Sequence, residues 1–189
     1  MSPNQIKILI VDDDEDLCIT LNEFISQMGI QVQTAGTVAV AQQKLHSEMP
    51  PFDLVLTDLR IPGGSGIDVL KAAHERSADT LVTMITGYAS MDSAIEASRL
   101  GAYNYITKPF SLDEIGVQVR NMVERVSLSK ENARLSVRLQ ELYQQVEQIK
   151  SEQYDFVQMH EKLMSLMQEN NRKLDELLKL HSSPPISES

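Results

Sequence analysis

Four short apolar runs each end at a polar residue of a type used by metal and phosphate chemistry, and this pattern constrains the fold more than any other feature. The runs are Ile6–Val11 followed by Asp12-Asp13, Leu54–Thr57 followed by Asp58, Leu81–Ile85 followed by Thr86, and Tyr103–Thr107 followed by Lys108. If these runs are parallel strands, the side chains that follow them collect at one edge of one sheet. Open α/β sheets bind ligands there, outside the carboxyl ends of their strands. Clustered carboxylates without cysteine suit a hard divalent cation such as Mg²⁺, which takes oxygen ligands and keeps several waters. A hydroxyl and an ammonium beside that cation suit a phosphoryl group, whose oxygens need donors and positive charge.

Residues 5 to about 110 alternate short apolar runs with longer amphipathic stretches, the rhythm of βαβ units and a doubly wound α/β domain. Strands are expected at 6–11, 30–35, 53–57, 81–86 and 103–107, and helices at 16–28, 38–47, 66–77 and 91–100. Gly29 stands where the first helix should stop and Gly101 where the fourth should. Pro62-Gly63-Gly64-Ser65-Gly66 reads as a flexible turn, with Ser65 as a cap for the third helix.

The character changes at Ser111. Ser111-Leu112-Asp113-Glu114 fits a capping box. From there to His181 no proline intervenes and Gly116 is the only glycine. One continuous helix of this length would span on the order of 100 Å at about 1.5 Å per residue. With Leu139 at heptad position a, the d positions hold Leu135, Leu142, Ile149, Phe156, Leu163 and Leu177, interrupted by Asn170. The a positions hold Leu139, Val146, Met167 and Leu174, interrupted by Gln153 and His160. That seam predicts a coiled coil. The earlier apolar positions Ile115, Val119, Met122 and Val126 do not run into this register without an offset. We therefore divide the chain into a domain at 1–125, a helical coiled-coil extension at 126–181 and a disordered tail at 182–189. Val157, Met159, Met164, Leu166 and Leu178 occupy e and g positions, where a two-stranded coil usually carries charge. The apolar face near 157–178 needs more cover than one helix gives and reads as a four-helix contact, a folded-back hairpin or a docking surface for another protein, or else as a loosely specified dimer seam filled by Met.

Charge narrows the function classes. Residues 1–119 hold 7 Lys/Arg against 16 Asp/Glu, and residues 120–189 hold 10 against 11, within a net charge of −10. With no basic stripe to neutralise phosphates, direct nucleic-acid binding is not expected. The single cysteine, Cys18, excludes an internal disulfide and fits a reducing compartment. No apolar stretch approaches a membrane span, and the N-terminal run is short and ends in acids, unlike a signal peptide. The expected location is cytoplasmic, with no membrane association.

Taken together, Ile8–Asp13, Asp58-Leu59-Arg60-Ile61-Pro62-Gly63, Thr86-Gly87 and Lys108-Pro109-Phe110 resemble the receiver domains of bacterial two-component response regulators. The resemblance covers roughly residues 5–125. It implies a flavodoxin-like five-stranded parallel sheet of order 2-1-3-4-5. It implies Asp58 as phosphoacceptor, with Mg²⁺ held by Asp12, Asp13, Asp58 and the backbone carbonyl of Arg60. It further implies that Lys108 pairs with the phosphate, that Thr86 moves to hydrogen-bond it, and that the Gly87 N–H helps bind it. Tyr105 would be the aromatic that turns inward when Thr86 moves, and the Lys108-Pro109 bond would be cis. A carboxylate attacking a phosphoryl group faces charge repulsion, which a shared Mg²⁺ relieves.

Other residues admit simpler readings. Asp14, Glu15 and Asp16 are acids at a helix start, where cap and dipole favour them. His160 precedes Glu161, as a kinase phosphohistidine often does, but Lys162-Leu163-Met164 follows and position a suits a register-fixing polar residue. A nucleotide-binding domain would need a glycine-rich loop after the first strand, where Asp-Asp-Asp-Glu stands instead. The reading reached is a response regulator rather than a conventional enzyme, phosphorylated by a histidine kinase or phosphotransfer protein. Its expected output is homodimerisation or protein interaction through the C-terminal helix. The alternatives are the receiver and linker part of a multi-component transcriptional regulator, and a phosphate sink without an output of its own.

Overall fold

The computed structural model describes residues 6–88 and 90–181, with side chains described as far as Glu176. Elements follow in the order β1 (Lys7–Val11), α1 (Glu15–Ser26), β2 (Gln31–Ala35), α2 (Val38–Ser47), β3 (Leu54–Thr57), β4 (Arg60–Ile61), β5 (Gly64–Ser65), α3 (Gly66–Arg76), β6 (Leu81–Thr86), α4 (Met91–Arg99), β7 (Asn104–Thr107) and α5 (Leu112–His181). The expected disordered tail lies outside the described residues.

Five strands form one parallel sheet in the order β2-β1-β3-β6-β7. This is the expected flavodoxin-like order, with two short strands, β4 and β5, intervening in chain number. Alternate side chains of a strand point to opposite faces, so each buried strand feeds two layers. Leu9, Val11, Val55, Val82 and Met84 pack with α2, α3 and Ala97 on one face. Ile8, Ile10, Leu54, Leu56, Ile85 and Ile106 pack with α1 and the start of α5 on the other. Spacings of four, three and four place Ile115, Val119, Met122 and Val126 of α5 along one helical stripe, and all four are buried.

Helix ends obey local chemistry. The Asp14 side chain accepts the Leu17 N–H at 3.0 Å and caps α1, while Glu15 and Asp16 sit in the first turn. Ser65 and Asp68 form a capping box at α3, and the Glu114 N–H donates to Ser111 Oγ at 3.1 Å ahead of α5. Gly29 at φ +80° follows α1, and Gly101 at φ +90° follows α4, a conformation costly for residues with a Cβ. The Pro62–Gly66 segment departs from the flexible turn expected. It closes an antiparallel two-residue ladder, Arg60 opposite Ser65 and Ile61 opposite Gly64. Two-residue strands are too short to leave a periodic signature in sequence.

Contacts divide the chain between Glu131 and Asn132. That is six residues beyond the boundary drawn from the heptad offset. Past Val126 the helix keeps a side-chain contact with the α/β unit, Lys130 Nζ pairing with Asp53 Oδ1 at 2.6 Å. In the second unit the helix is continuous, and every described side chain from Asn132 to Glu176 is exposed, including Leu135, Leu139, Leu142, Val146 and Ile149. Ion pairs Glu147–Lys150 and Glu169–Lys173 lie along it at helical spacing, each worth a few tenths of a kcal/mol. The side chain of Leu177 lies outside the described residues. Among the described residues, no helix is long and apolar enough to cross a membrane.

Gly66 ties the fold to its ligand-facing edge. A Cβ there would overlap the carbonyl oxygen of Asp58 and lie 2.9 Å from Met84 Cε. The first obstacle is backbone, which a rotamer change cannot remove. Gly66→Ala is expected to lower unfolding free energy by about 1–3 kcal/mol, the usual range for overpacking. Urea unfolding of the substituted chain checks this.

Candidate functional site

The register sets the strand ends: Val11 pairs with Thr57, Thr57 with Met84, and Thr86 with Thr107, two residues further along β6. Asp12 and Asp58 therefore emerge side by side past β1 and β3, and Lys108 follows β7 at the same carboxyl edge, across β6. Backbone bonds extend the ladder into these residues. The Asp12 N–H donates to Ala35 O at 3.0 Å, the Asp58 N–H to Val11 O at 2.8 Å, and the Lys108 N–H to Thr86 O at 2.9 Å. The side chains then close on each other. Lys108 Nζ donates to Asp12 Oδ2 at 2.6 Å and to Asp58 Oδ2 at 2.8 Å. The remaining oxygens accept from backbone: Asp12 Oδ1 from the Asp14 N–H and Asp58 Oδ1 from the Arg60 N–H, both at 3.0 Å.

Both carboxylates are nearly closed off, at 5% exposure for Asp12 and 8% for Asp58. Burial raises the Asp12 carboxyl above its ordinary range, and the bonds from Lys108 and the Asp14 N–H only partly offset this. Burial also works against the Lys108 ammonium, but its bonds to Asp12 and Asp58 prevail and its pKa is raised. The site therefore holds a fixed positive charge between two carboxylates. Cys18 lines its floor, donating from Sγ to the Asp12 carbonyl at 3.4 Å. Burial, followed by the charge of Asp12, pushes that thiol up to about 11, which leaves it protonated and unreactive at neutral pH.

The other expected residues stand around this triad in different ways. Thr86 is fully buried, and its Oγ1 accepts the Tyr88 N–H at 3.1 Å. A Cβ on Gly87 would lie 3.8 Å from Lys108 Cβ, so Gly87 adjoins the lysine stem. The Lys108-Pro109 bond is cis, as expected, and so is Met49-Pro50, for which no expectation was formed. Tyr105 is half-buried, and its hydroxyl lies 3.1 Å from Ser93 Oγ in the first turn of α4. Asp13 is exposed. Among the described residues, no three carboxylate, imidazole or thiol side chains are grouped to hold a metal ion. Two carboxylates do converge on one cation, the lysine ammonium.

Two contacts at the site escape sequence reasoning. Arg60 at the start of β4 stacks its guanidinium over the ring of Tyr88, which follows β6, at 3.8 Å. Ser93 bonds both the Ser90 cap and Tyr105. Neither contact leaves a periodic or motif signal, since each joins residues far apart in the sequence.

The match to known proteins is specific over this region. The model of the response regulator receiver domain matches residues 8–120. Response regulator protein PilR of Pseudomonas aeruginosa is 41% identical over 109 residues, which is 58% of this chain and 24% of PilR. Photosynthetic apparatus regulatory protein RegA of Rhodovulum sulfidophilum is 30% identical over 162 residues, 83% of this chain and 87% of RegA. The beryllofluoride-activated NtrC4 receiver domain dimer, a solution structure, superposes with a TM-score of 0.59 at 30% identity, covering 64% of this chain and 98% of that one. The chain thus spans about a quarter of PilR but most of RegA. With five parallel strands in receiver order and the carboxylate–lysine triad at their carboxyl edge, the chain belongs to the response regulator receiver family.

Proposed function

We propose that this chain is a two-component response regulator that accepts a phosphoryl group on Asp58 from a histidine kinase or phosphotransfer protein. The observation that carries the reading is the sharing of Lys108 Nζ between Asp12 and Asp58 at 2.6 and 2.8 Å. An oxygen nucleophile is held beside a fixed ammonium that can follow the incoming phosphoryl charge. The donor set also fits Mg²⁺, which is commonly held by one or two carboxylates plus substrate oxygens and water. Asp12, Asp13 and Asp58 would hold it, with the Arg60 carbonyl as a further oxygen. When bound, Mg²⁺ supplies the positive charge that lets a carboxylate approach a phosphoryl group. A receiver is not a conventional enzyme; here its residues would promote only their own phosphorylation and its reversal.

The consequences follow from bonds already present. Thr86 Oγ1 is occupied by the Tyr88 N–H, so turning the hydroxyl toward a phosphoryl oxygen releases the Tyr88 loop. Tyr105 is tied to Ser93 in the first turn of α4, so turning its ring inward frees that turn. A local bond at Asp58 thereby changes the surface of α4 and β7.

Output would pass through α5. A helix whose apolar heptad positions are exposed from Leu135 to Leu174 needs a partner, and a second copy supplies an identical seam. The homodimer is the simplest such partner, and the broader apolar face near 157–178 suits a further protein. The NtrC4 dimer in its beryllofluoride-activated form supports association linked to phosphorylation.

Three outcomes are expected. Asp58→Ala should abolish acid-labile phosphate uptake from acetyl phosphate with Mg²⁺, and undiminished uptake removes the assignment. Asp12→Asn should act in opposite directions on function and stability. Because the folded pKa of Asp12 lies above its unfolded value, the ionised group destabilises the fold at any pH above both. Removing that charge should raise the metal-free melting temperature at pH 7. The gain should shrink as pH falls through the folded pKa and vanish below the unfolded one, while Mg²⁺-dependent uptake falls at neutral pH. Finally, Leu142→Lys with Ile149→Lys places charges in two seam layers and should convert a dimer to a monomer in sedimentation.

A further inference from the structure

We propose that His160 and the methionines flanking it form, between two copies of the C-terminal helix, a site for a soft monovalent cation of the copper(I) class. The inference rests on the reading of this helix as a homodimer seam.

The seam itself creates the need for a ligand. Apolar residues fill most a and d positions from Leu135 to Leu174, but Gln153, His160 and Asn170 interrupt them. A parallel pair in register sets each of these against its own copy, so that no polar side chain of the seam faces an apolar one. Side-chain amides carry both donors and acceptors and satisfy each other across such a layer. Imidazoles do not. Two neutral rings make at most one hydrogen bond to each other, which leaves one ring an acceptor and the other a donor without a partner. Inside an apolar seam that shortfall costs free energy.

The surroundings select what supplies the missing partner. Met159 precedes His160 at position g, and Met164 follows it by four residues at position e. That spacing puts Met164 one helical turn from His160 on the same side, with about 5–6 Å between Cβ atoms. In parallel strands a g residue meets the e residue five positions further along the other helix. Met159 therefore lies against the partner's Met164, once on each side of the imidazole layer. Val157 and Leu166 fill the adjoining e and g positions, and charge returns only at Lys150 and Glu152 before the layer and at Lys173 after it. Glu161 and Lys162 fall at b and c, on the outer face.

The layer thus offers two imidazole nitrogens and four thioethers, with no carboxylate among them. Thioether and imidazole ligands suit copper(I), whereas Mg²⁺ and Ca²⁺ need oxygen. Each ring coordinates as a neutral base through its free lone pair. A single chain holds only half of the site, and its ligands are open to solvent: Met159 is 65% exposed, Met164 47%, and His160 is exposed between them. A second copy both completes the ligand set and covers it. The uncharged e and g positions around His160, unusual for a two-stranded coil, then serve to keep water and hard ligands away from the layer.

The test uses the full chain and copper(I) itself, titrated without oxygen against a chromophoric copper(I) chelator, with sedimentation in the presence and absence of the metal. The set comprises the parent, Cys18→Ala, His160→Leu, and Met159→Leu combined with Met164→Leu. The parent should hold one copper(I) per two chains. With free copper(I) at about ten times its dissociation constant, the dimer's own dissociation constant should fall about tenfold, the mass-action effect of a ligand that binds only the dimer. Cys18→Ala removes the single thiol and should behave as the parent. Leucine keeps the helix apolar, so His160→Leu should dimerise without metal at least as tightly as the parent and gain nothing from copper(I). The double methionine variant should remain a dimer and lose copper(I) to the chelator. A parent dimer that yields all its copper(I), binding unchanged by His160→Leu, or one copper(I) per chain overturns the site while leaving the homodimer. A parent that sediments as a monomer with and without the metal overturns the reading beneath it.

Discussion

The structure turns on one ammonium group shared by two buried carboxylates. Asp12 and Asp58 come from adjacent strands, and their side chains meet at Lys108 Nζ. Two ionised carboxylates at this degree of burial repel each other and resent the loss of water. Lys108 makes the arrangement tenable, and both aspartates in turn keep Lys108 charged against its own burial. Such a site is held near balance.

The walls are supplied by the parallel sheet. Parallel strands with matching ends deliver their next residues to one edge, whereas antiparallel neighbours would send them to opposite ends. Hydrogen bonds of the ladder continue one residue past the strands, so Asp12, Asp58 and Lys108 are fixed by their own backbone before any side chain forms a contact. Gly66 lets α3 begin directly against the Asp58 carbonyl, and its N–H donates to Leu59 O at 3.0 Å. Packing on both faces of the sheet thus reaches the site through backbone rather than through mobile side chains.

This also explains which parts were legible in the sequence. Strand ends are local: an apolar run followed by Asp58 or Lys108 announces both the strand and the residue it presents. Helix starts are local too, and Asp14, Ser65 and Ser111 all bond the first turns of their helices. Side-chain contacts between elements are not local. Arg60 over Tyr88, Ser93 to Tyr105 and Lys130 to Asp53 join residues 12 to 77 positions apart with no intervening pattern. The β4–β5 ladder failed for a different reason, because two residues cannot display a period. The convergence of Asp12, Asp58 and Lys108 was thus legible, whereas the contacts of Arg60 with Tyr88, Ser93 with Tyr105 and Lys130 with Asp53 were not.

The two units place opposite demands on exposed surface. In the α/β unit, Ile115, Val119, Met122 and Val126 of α5 are covered by the sheet, and the stripe ends where Lys130 reaches Asp53. Beyond Asn132 the same helix carries Leu139, Leu142, Val146 and Ile149 at a and d positions, all exposed among the described residues. A single helix in water draws little stability from propensity alone, so an apolar seam of this kind is stabilised chiefly by packing against another surface. Were a second copy to pair along this seam, as proposed above, any effect of receiver packing on that pairing would be matched by an equal effect of pairing on the receiver.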